Sequence, residues 1–195
     1  TSNGFHHFGV VNENYNFNVA YTHINTLEDV ALYREVFAEA EVRSIDKMIF
    51  HVGAQYLVYN QALYQNKIEK EWPEINAITP FLEVVYKINK KHSIRTDLQY
   101  MHTKQDYGSW AFALVEYNIS PRWSFALSDM YNIVPNKAHV KRANHYPNIF
   151  MAYTKDAHRF TAQYVKQVDG INCTGGICRY EPAFSGFKIG IISTF

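Results

Sequence analysis

The two cysteines of this chain stand close together near its C-terminal end. Cys173 and Cys178 are separated by four residues, which include Gly175 and Gly176. Two cysteines in an exported protein most simply form a disulfide, and adjacent glycines favour the chain reversal that the bond needs. A metal site needs more ligands, and a redox pair has the spacing Cys-x-x-Cys, which is absent here. We therefore predict a structural disulfide.

The nine histidines of the chain match no metal or catalytic motif. His6 and His7 are adjacent, so in a strand they point to opposite faces. No His-Glu-x-x-His sequence is present, and neither Ser124 nor Ser128 lies in a Gly-x-Ser-x-Gly elbow. The sequence therefore predicts no metal site, no cofactor and no enzymatic activity, although an enzyme whose site is built from scattered loop residues stays open as an alternative.

Ionisable residues of both signs lie opposite the apolar residues of several alternating segments. They are Glu39, Glu41, Glu83, Lys87, Arg95, Asp97, Arg159 and Lys188. Mixed signs favour ion pairs and hydrogen bonds that fill a narrow interior, whereas a selective pore shows a ring of one sign. We predict a polar network that lines a barrel lumen; the solvated face of an ordinary sheet would carry the same residues and stays open.

These side chains must be positioned by β-strands. Apolar and polar residues alternate in about ten segments, the pattern of strands whose side chains point to opposite faces in turn. For the segment 110–119 both faces are apolar, so its orientation stays open. The last segment places Phe187, Ile189, Ile191 and Phe195 on one face and ends on an aromatic residue. This ending indicates a strand that inserts into a bacterial outer membrane.

The connections between these segments alternate in length. Short turns are predicted at 43–47, 89–92, 120–122 and 155–158. Longer connections are predicted at about 23–34, 60–74, 104–109, 133–145 and 169–183. Outer-membrane barrels distribute periplasmic turns and extracellular loops in this way, and they have an even number of strands. About ten strands would put both chain ends in the periplasm.

The predicted fold is one domain, 1–195, all-β: an antiparallel up-and-down transmembrane β-barrel of about ten strands. A soluble two-sheet sandwich or a lipocalin-like barrel is the alternative, because it would also pair apolar faces. No apolar run approaches the roughly 20 residues of a membrane helix, and a net charge of +1 gives no case for nucleic acid. No signal peptide is visible, so we expect it to have been removed or an upstream portion to be missing.

Four stretches are distinctive: Tyr86-Lys-Ile-Asn-Lys90, Leu98-Gln-Tyr-Met-His-Thr-Lys-Gln-Asp106, Ser128-Asp-Met-Tyr-Asn132 and the run from Cys173 through Cys178 to Ala183 and Phe195. They resemble an uncharacterised family of Bacteroidota outer-membrane proteins. The resemblance implies a fold and a bacterial outer-membrane location but no activity. Members of the family look longer than this chain, which therefore forms either a complete barrel or the C-terminal part of a larger one.

The predicted function is that of a non-enzymatic outer-membrane scaffold, surrounded by lipid, that binds a protein partner through extracellular loops. Loops carry function because rigid strands position them. The loop 60–74 holds Tyr64, Ile68, Trp72 and Pro73 among charged residues, a composition suited to protein contact. A loop that packs onto the rim of its own barrel would have the same composition. Passage of a small solute is the alternative function.

Overall fold

Nearly the whole chain is β-strand, as the alternating pattern predicts. The computed structural model describes residues 3–64, 74–136, 144–168, 170–174 and 177–193, with the backbone alone for Tyr64 and for 170–181. Its strands are β1 (Gly4–Val11), β2 (Tyr15–Asn25), β3 (Ala31–Val42), β4 (Met48–Asn60), β5 (Glu74–Lys87), β6 (His92–Met101), β7 (Gly108–Ile119), β8 (Trp123–Pro135), β9 (His145–Lys155), β10 (His158–Gln167), β11 (Gly170–Thr174), β12 (Ile177–Glu181) and β13 (Phe184–Ser193). A helical turn, α1 (Gln61–Tyr64), follows β4. No helix in these described ranges is long and apolar enough to cross a membrane.

The strands pair in the order of the chain. Over the described ranges, eleven of them form one antiparallel sheet in the order β1-β2-β3-β4-β5-β6-β7-β8-β9-β10-β13, and β11 and β12 form a separate two-stranded sheet. The predicted all-β, antiparallel, up-and-down order is confirmed. Closure into a barrel is not seen, because β1 and β13 have no pairing with each other within residues 4–193.

Short and long connections alternate, as predicted. The turns 12–14, 43–47, 88–91, 120–122 and 156–157 share one end of the sheet, which we call the short-turn end. Lys47 and Asp156 take left-handed φ angles of 60° and 54°, which suit tight reversals. The opposite end, called the long-loop end, carries the connections 26–30, 61–73, 102–107, 136–144 and 168–183.

The prediction of about ten strands with both chain ends on one side is wrong. The described sheet contains eleven strands, because β1 (Gly4–Val11) precedes the first strand that the alternation indicated. Phe5 and Phe8 fall on opposite faces of β1, so the segment shows no clean amphipathic pattern. β1 starts at the long-loop end and β13 finishes at the short-turn end, so these two edge strands run in the same direction.

The predicted irregular loop 169–183 contains a hairpin instead. β11 and β12 pair antiparallel, with Cys173 directly opposite Cys178 and Thr174 opposite Ile177. The sequence predicts a long connection here because the two strands are short and the residues between them are rich in glycine.

The pairing register also assigns a face to every residue, because directly opposed residues in an antiparallel pair project to the same side. Ala113 lies opposite Leu98, and Val115 lies opposite Leu127. This decides the orientation of β7, which the sequence left open. Ala113, Val115 and Tyr117 share the predominantly apolar side, and Trp110 faces the other side.

The two sides of the sheet differ in composition, since ionisable side chains are concentrated on one side. The apolar face carries Phe17, Val19, Ala38, Ala40, Val52, Ala54, Leu82, Val84, Leu98, Ala113, Val115, Phe125, Leu127, Ile149, Met151, Ala162, Ile189 and Ile191. The polar face carries Asn18, Glu39, Glu41, His51, Gln55, Glu83, Arg95, Asp97, Glu116, Asn118, Asn148, Arg159, Gln163 and Lys188. Leu127 and Ile189 on the apolar face are 59% and 82% exposed. No second layer covers this face among the residues described.

The tightest packing lies at the long-loop end, around an irregularity in β7. The register shifts between Ser109 and Trp110, and Asn132 of β8 fills the gap with complete burial. The Asn132 amide nitrogen donates to the carbonyl of Tyr107 at 2.9 Å and to that of Ser109 at 3.2 Å. The Asn132 side chain thereby adds a donor to two carbonyls beside the bulge, and one of them, that of Tyr107, also accepts from the Asn136 amide at 3.2 Å. The long-loop end is thereby held rigid.

A substitution of Gly108, at the start of β7, would test this packing. Its φ is +87°, and a Cβ there would lie 2.1 Å from the Val134 carbonyl oxygen. We expect Gly108→Ala to lower the free energy of unfolding by about 2 kcal/mol, measured by denaturant titration, because backbone strain and a backbone clash add. Gly186→Ala is the control, since its nearest contact is the movable Phe184 ring at 3.0 Å. Equal losses in both variants would contradict the explanation.

Candidate functional site

A row of ionisable side chains crosses the polar face of neighbouring strands. Glu41 of β3 lies directly opposite His51 of β4, which lies directly opposite Glu83 of β5. The His51 Nε2 atom contacts the Glu41 carboxylate, and His51 Nδ1 is 3.9 Å from Glu83 Oε1. Because direct cross-strand partners have Cβ atoms only about 5 Å apart, the register alone places the imidazole between two carboxylates.

Arg95 of β6 continues this row. Its Nη1 atom donates to Glu83 Oε2 at 2.8 Å, and its Nη2 atom lies 3.7 Å from Glu116 Oε2. The Asn118 amide nitrogen also donates to Glu116, at 2.6 Å. Glu41 is further paired with Arg43. The row therefore forms a connected network from β3 to β7, and we call its members Glu41, His51, Glu83, Arg95 and Glu116 the charge row.

Two further carboxylates of β3 are satisfied by uncharged donors. Asn18 donates to Glu39 Oε1 at 3.0 Å. Tyr33 donates its hydroxyl hydrogen to Glu35 at 3.0 Å, and Gln55 also donates to Glu35. Neutral donors hold these carboxylates without cancelling their charge, so the β3 side of the polar face is electronegative.

The cations Arg159 and Lys188 lie on the opposite part of the same face. Lys188 of β13 donates to Gln167 at 3.2 Å, and its ammonium lies 5.1 Å from the centroid of the Phe184 ring. Arg159 of β10 lines a hollow of about 370 Å³ at the short-turn end together with Ser93 and Thr154. On β3–β7 the polar face carries more carboxylates than cations, although Lys87 and Arg95 lie there too, whereas on β10 and β13 it carries Arg159 and Lys188.

The structure places all eight residues of the predicted network on the polar face, but it joins only some of them. Three of them, Glu41, Glu83 and Arg95, form ion pairs within the charge row. Glu39 and Asp97 instead accept hydrogen bonds from amides, and Lys87 lies opposite Ser93. The predicted network did not include His51, Glu116 or Glu35. The alternation of β4 does put His51 on the same side as Gln55, but no local signal pairs it with the two carboxylates.

The remaining predicted site residues have different outcomes. Phe187, Ile189 and Ile191 lie on the apolar face of β13, as predicted, while Phe195 lies outside the described residues. In the candidate partner loop, Ile68, Trp72 and Pro73 and the side chain of Tyr64 also lie outside the described residues. The backbones of Cys173 and Cys178 are cross-strand partners, and their side chains are outside the description.

The charge row is only partly buried, which limits the chemistry available to it. The Glu41, Glu83 and Glu116 side chains are 14%, 22% and 26% exposed, and Arg95 is 36% exposed. Among the residues that the structure describes, no group of three or more His, Cys, Asp or Glu side chains is arranged to hold a metal ion. The arrangement suits a hydrated, mutually hydrogen-bonded lining that stabilises one face of a sheet.

The fold and the polar face define a class of protein: a sequential antiparallel meander with one ionised side and one uncovered apolar side. The chain belongs to a family of unknown function (DUF6029), whose members it matches over residues 3–195. The predicted membership of an uncharacterised family is thereby confirmed. No curated protein and no solved structure matches the chain.

Proposed function

We propose that the protein is an integral β-barrel of a bacterial outer membrane and that it acts as a non-enzymatic scaffold. The observation that carries the proposal is the uncovered apolar face, bordered at both ends by aromatic residues. Large exposed apolar surfaces indicate contact with membrane or protein. The proposal includes the Bacteroidota origin and a fully closed barrel, which are the finer parts of the sequence prediction.

The aromatic borders resemble the girdles of transmembrane barrels. At the short-turn end the apolar face carries Tyr15, Tyr86, Tyr117, Trp123 and Tyr153, and at the long-loop end it carries Tyr21, Tyr56, Tyr100, Tyr131 and Tyr164. Trp123 and Tyr131 are eight residues apart on β8, about 27 Å along a strand. With a strand tilt of about 40°, that distance spans roughly 20 Å of membrane, close to the apolar band of known barrels.

Closure needs strands from outside residues 4–193. A lipid-exposed sheet edge is forbidden because lipid cannot satisfy peptide groups. β1 and β13 run in the same direction, so an all-antiparallel ring requires an odd number of additional strands between them. Another segment of the protein or another subunit would supply these strands. The resulting barrel has more strands than the described sheet and a correspondingly wider interior.

The scaffold role rests on the rigidity of the long-loop end. Ile75, Ser109 and Asn132 are nearly or completely buried there, at 3%, 1% and 0% exposure. Well-packed strand ends give loops a rigid support, which is what a partner-binding surface needs. Shortening 65–72 should abolish co-purification of a stoichiometric membrane partner, whereas shortening 137–142 should not. An unchanged, solitary species in both cases would count against the scaffold.

Membrane topology can be tested by labelling, in a background with Cys173 and Cys178 replaced by Ser. Leu27 is 92% exposed in a long-loop connection, and Lys90 is exposed in a short turn. We expect an impermeant maleimide to label Leu27→Cys in intact cells, and Lys90→Cys only after the outer membrane is permeabilised. The purified protein should also migrate differently before and after heating in detergent gels. A soluble sandwich would show neither behaviour.

Passage of a small solute is the second candidate. The carboxylates of β3–β7 favour cations, and a barrel widened by further strands approaches the size of open channels. Purified protein in planar bilayers would then give steady, cation-preferring conductance steps. The absence of such steps would exclude this function and leave the scaffold proposal intact.

A disulfide between Cys173 and Cys178 is part of the proposal. Cross-strand partners have Cα atoms about 4.5–5.5 Å apart, within the range of disulfides. We expect the oxidised protein to resist alkylation without reductant, as measured by intact mass. Cys173→Ser should lower the free energy of unfolding of the hairpin by about 2 kcal/mol, the entropy of closing so small a loop. Full alkylation of wild-type protein from the periplasm would disprove the bond.

A further inference from the structure

A hollow of about 370 Å³ at the short-turn end is lined by cationic and hydroxyl side chains. The cations are Arg122, in the turn 120–122, and Arg159 of β10. The hydroxyls that line the hollow belong to Ser93, Ser120, Ser124 and Thr154. Among the described residues that line it, none is acidic. This space, which we call the arginine hollow, therefore collects hydrogen-bond donors and positive charge without a negative charge of its own.

The pairing register brings the two arginines together. Thr154 of β9 lies directly opposite Arg159 of β10, and the Thr154 amide donates to the Arg122 carbonyl at 2.8 Å. The three residues therefore occupy one row across the strands, with the Cα atoms of the two arginines two strand spacings, about 10 Å, apart. Both arginines are exposed to solvent. A ligand from solution can therefore meet a guanidinium from each side of Thr154.

The donors of the arginine hollow lack protein acceptors. Within the described part of the chain, Arg122 and Arg159 take part in no ion pair, and the four hydroxyls that line the hollow donate to no described residue. Glu116 is engaged elsewhere, because it accepts from Asn118 at 2.6 Å and lies 3.7 Å from Arg95. Cations and hydroxyls that surround one space in this way indicate a ligand that supplies the acceptors.

The turns beside the arginine hollow add to its positive charge. The Ser120 amide donates to the Lys91 carbonyl at 2.7 Å, which joins the neighbouring turn to the rim of the hollow. Lys90 lies in the same turn as Lys91, and Lys155 and Asp156 stand at the reversal between β9 and β10. Three lysines against one carboxylate attract anions to this part of the short-turn end.

We propose that the arginine hollow binds a soluble phosphate monoester, whose phosphate group accepts hydrogen bonds from Arg122 and Arg159. Such a group carries about 1.5 to 2 negative charges near pH 7 and has three terminal acceptor oxygens. Each planar guanidinium matches two phosphate oxygens. Two guanidiniums with hydroxyls between them therefore suit three oxygens better than the two oxygens and single charge of a carboxylate.

The size and position of the arginine hollow favour a small, water-soluble ester. Its volume of about 370 Å³ is at the lower end of the range for small-molecule sites, so it admits a phosphate with a short organic group. The row that contains Thr154 and Arg159 lies on the polar face, away from the side that is proposed to meet lipid. All the residues that the proposal uses belong to β6–β10 and their turns, so the site does not require a closed barrel.

Isothermal titration calorimetry of the purified protein with glycerol 3-phosphate, at about 0.15 M ionic strength, tests the site. Wild-type protein should bind one molecule, and Arg159→Gln should weaken binding about tenfold or more by removing a charge-assisted pair. Arg43→Gln is the matched control, because Arg43 is a cation at the same end of the sheet but does not line the hollow. Equal losses in both variants, or folded wild-type protein that shows no saturable binding, would overturn the proposal.

A variant without a change of charge tests the hydroxyls. Thr154→Val keeps the shape of the side chain and removes one donor, so affinity for glycerol 3-phosphate should fall about fivefold. Thr161→Val is the control, because Thr161 lies on the same face of β10 but outside the hollow. Unchanged affinity in Thr154→Val, or equal losses in both threonine variants, would contradict recognition by these hydroxyls.

Two competitors test the chemical class of the ligand. Glycerate, which carries a carboxylate on a similar carbon skeleton, should bind at least about tenfold more weakly than glycerol 3-phosphate. Equal affinity would overturn the assignment to phosphate. Micelles that contain phosphatidic acid, a lipid with the same phosphate group, should not displace glycerol 3-phosphate. Displacement would overturn a soluble ligand and assign the hollow to a lipid headgroup.

Discussion

In the proposed membrane barrel, Leu127→Arg should prevent stable insertion into lipid. Leu127 is four residues from Trp123 and four from Tyr131, so it lies midway between the two aromatic borders, and it is 59% exposed on the apolar face. An arginine at the middle of the bilayer costs a transmembrane barrel about 2–4 kcal/mol. We expect the fraction of heat-modifiable protein in liposomes to fall at least several-fold, with a lower urea midpoint for the remainder.

Ala126→Arg is the matched control for this variant. Ala126 is the neighbouring residue, it faces the polar side, and its cross-strand partner on β7 is Glu116. The new guanidinium would remain hydrated next to a carboxylate, so we expect insertion close to that of wild type. If Ala126→Arg fails and Leu127→Arg inserts normally, lipid covers the polar face and the assignment of the two faces is reversed.

Arg95→Leu should destabilise the sheet through the carboxylates that it leaves behind. Arg95 joins Glu83 at 2.8 Å and Glu116 at 3.7 Å, and both carboxylates are mostly shielded from water. Removing one partner of a buried pair costs about 3–5 kcal/mol, and an exposed pair contributes under about 1 kcal/mol. For this half-buried network we expect a loss of about 2–3 kcal/mol in the free energy of unfolding, measured by urea titration.

A double variant tests whether the carboxylates left without Arg95 cause this loss of stability. Glu83→Gln added to Arg95→Leu removes one of the uncompensated charges, so the double variant should regain part of the lost stability. Lys90→Leu, in the exposed turn 88–91, controls for loss of a cation as such and should change stability little. If Lys90→Leu costs as much as Arg95→Leu, net charge and not the charge row determines stability.

The sequence predicted most of the strands because apolar and polar residues alternate cleanly along each of them. Phe17, Val19 and Tyr21 on β2 are an example, and their register partners on β3 repeat the pattern. β1 was missed because Gly4–Val11 divides its aromatic residues between both sides. β7 could be oriented only by its partners Leu98 and Leu127, which lie far away in the chain. A single strand carries no information about which neighbour it meets.

The candidate sites were predictable to a lesser degree. Alternation identified the polar side of Glu83 and Arg95, but the pairing of Arg95 with Glu116 depends on the register between β6 and β7, which no local pattern encodes. The contact of Asp129 Oδ2 with His145 Nδ1 was also missed, because Asp129 interrupts the apolar alternation of β8 between Leu127 and Tyr131. From the sequence alone this carboxylate is only an irregularity of the pattern, and its partner His145 is identified by the register between β8 and β9.

The strictly sequential pairing of the sheet has a kinetic consequence. Each strand from β1 to β10 meets its chain neighbour, so the sheet can grow hairpin by hairpin with little loop-closure entropy and a low contact order. The connection 168–183 is the longest interruption, and it delays the docking of β13 onto β10. In the described sheet both edges, β1 and β13, present unpaired peptide groups, which can template aggregation. We therefore expect the pairing of β13 with β10 to be the slowest step in forming the sheet, and its edges to need protection until then.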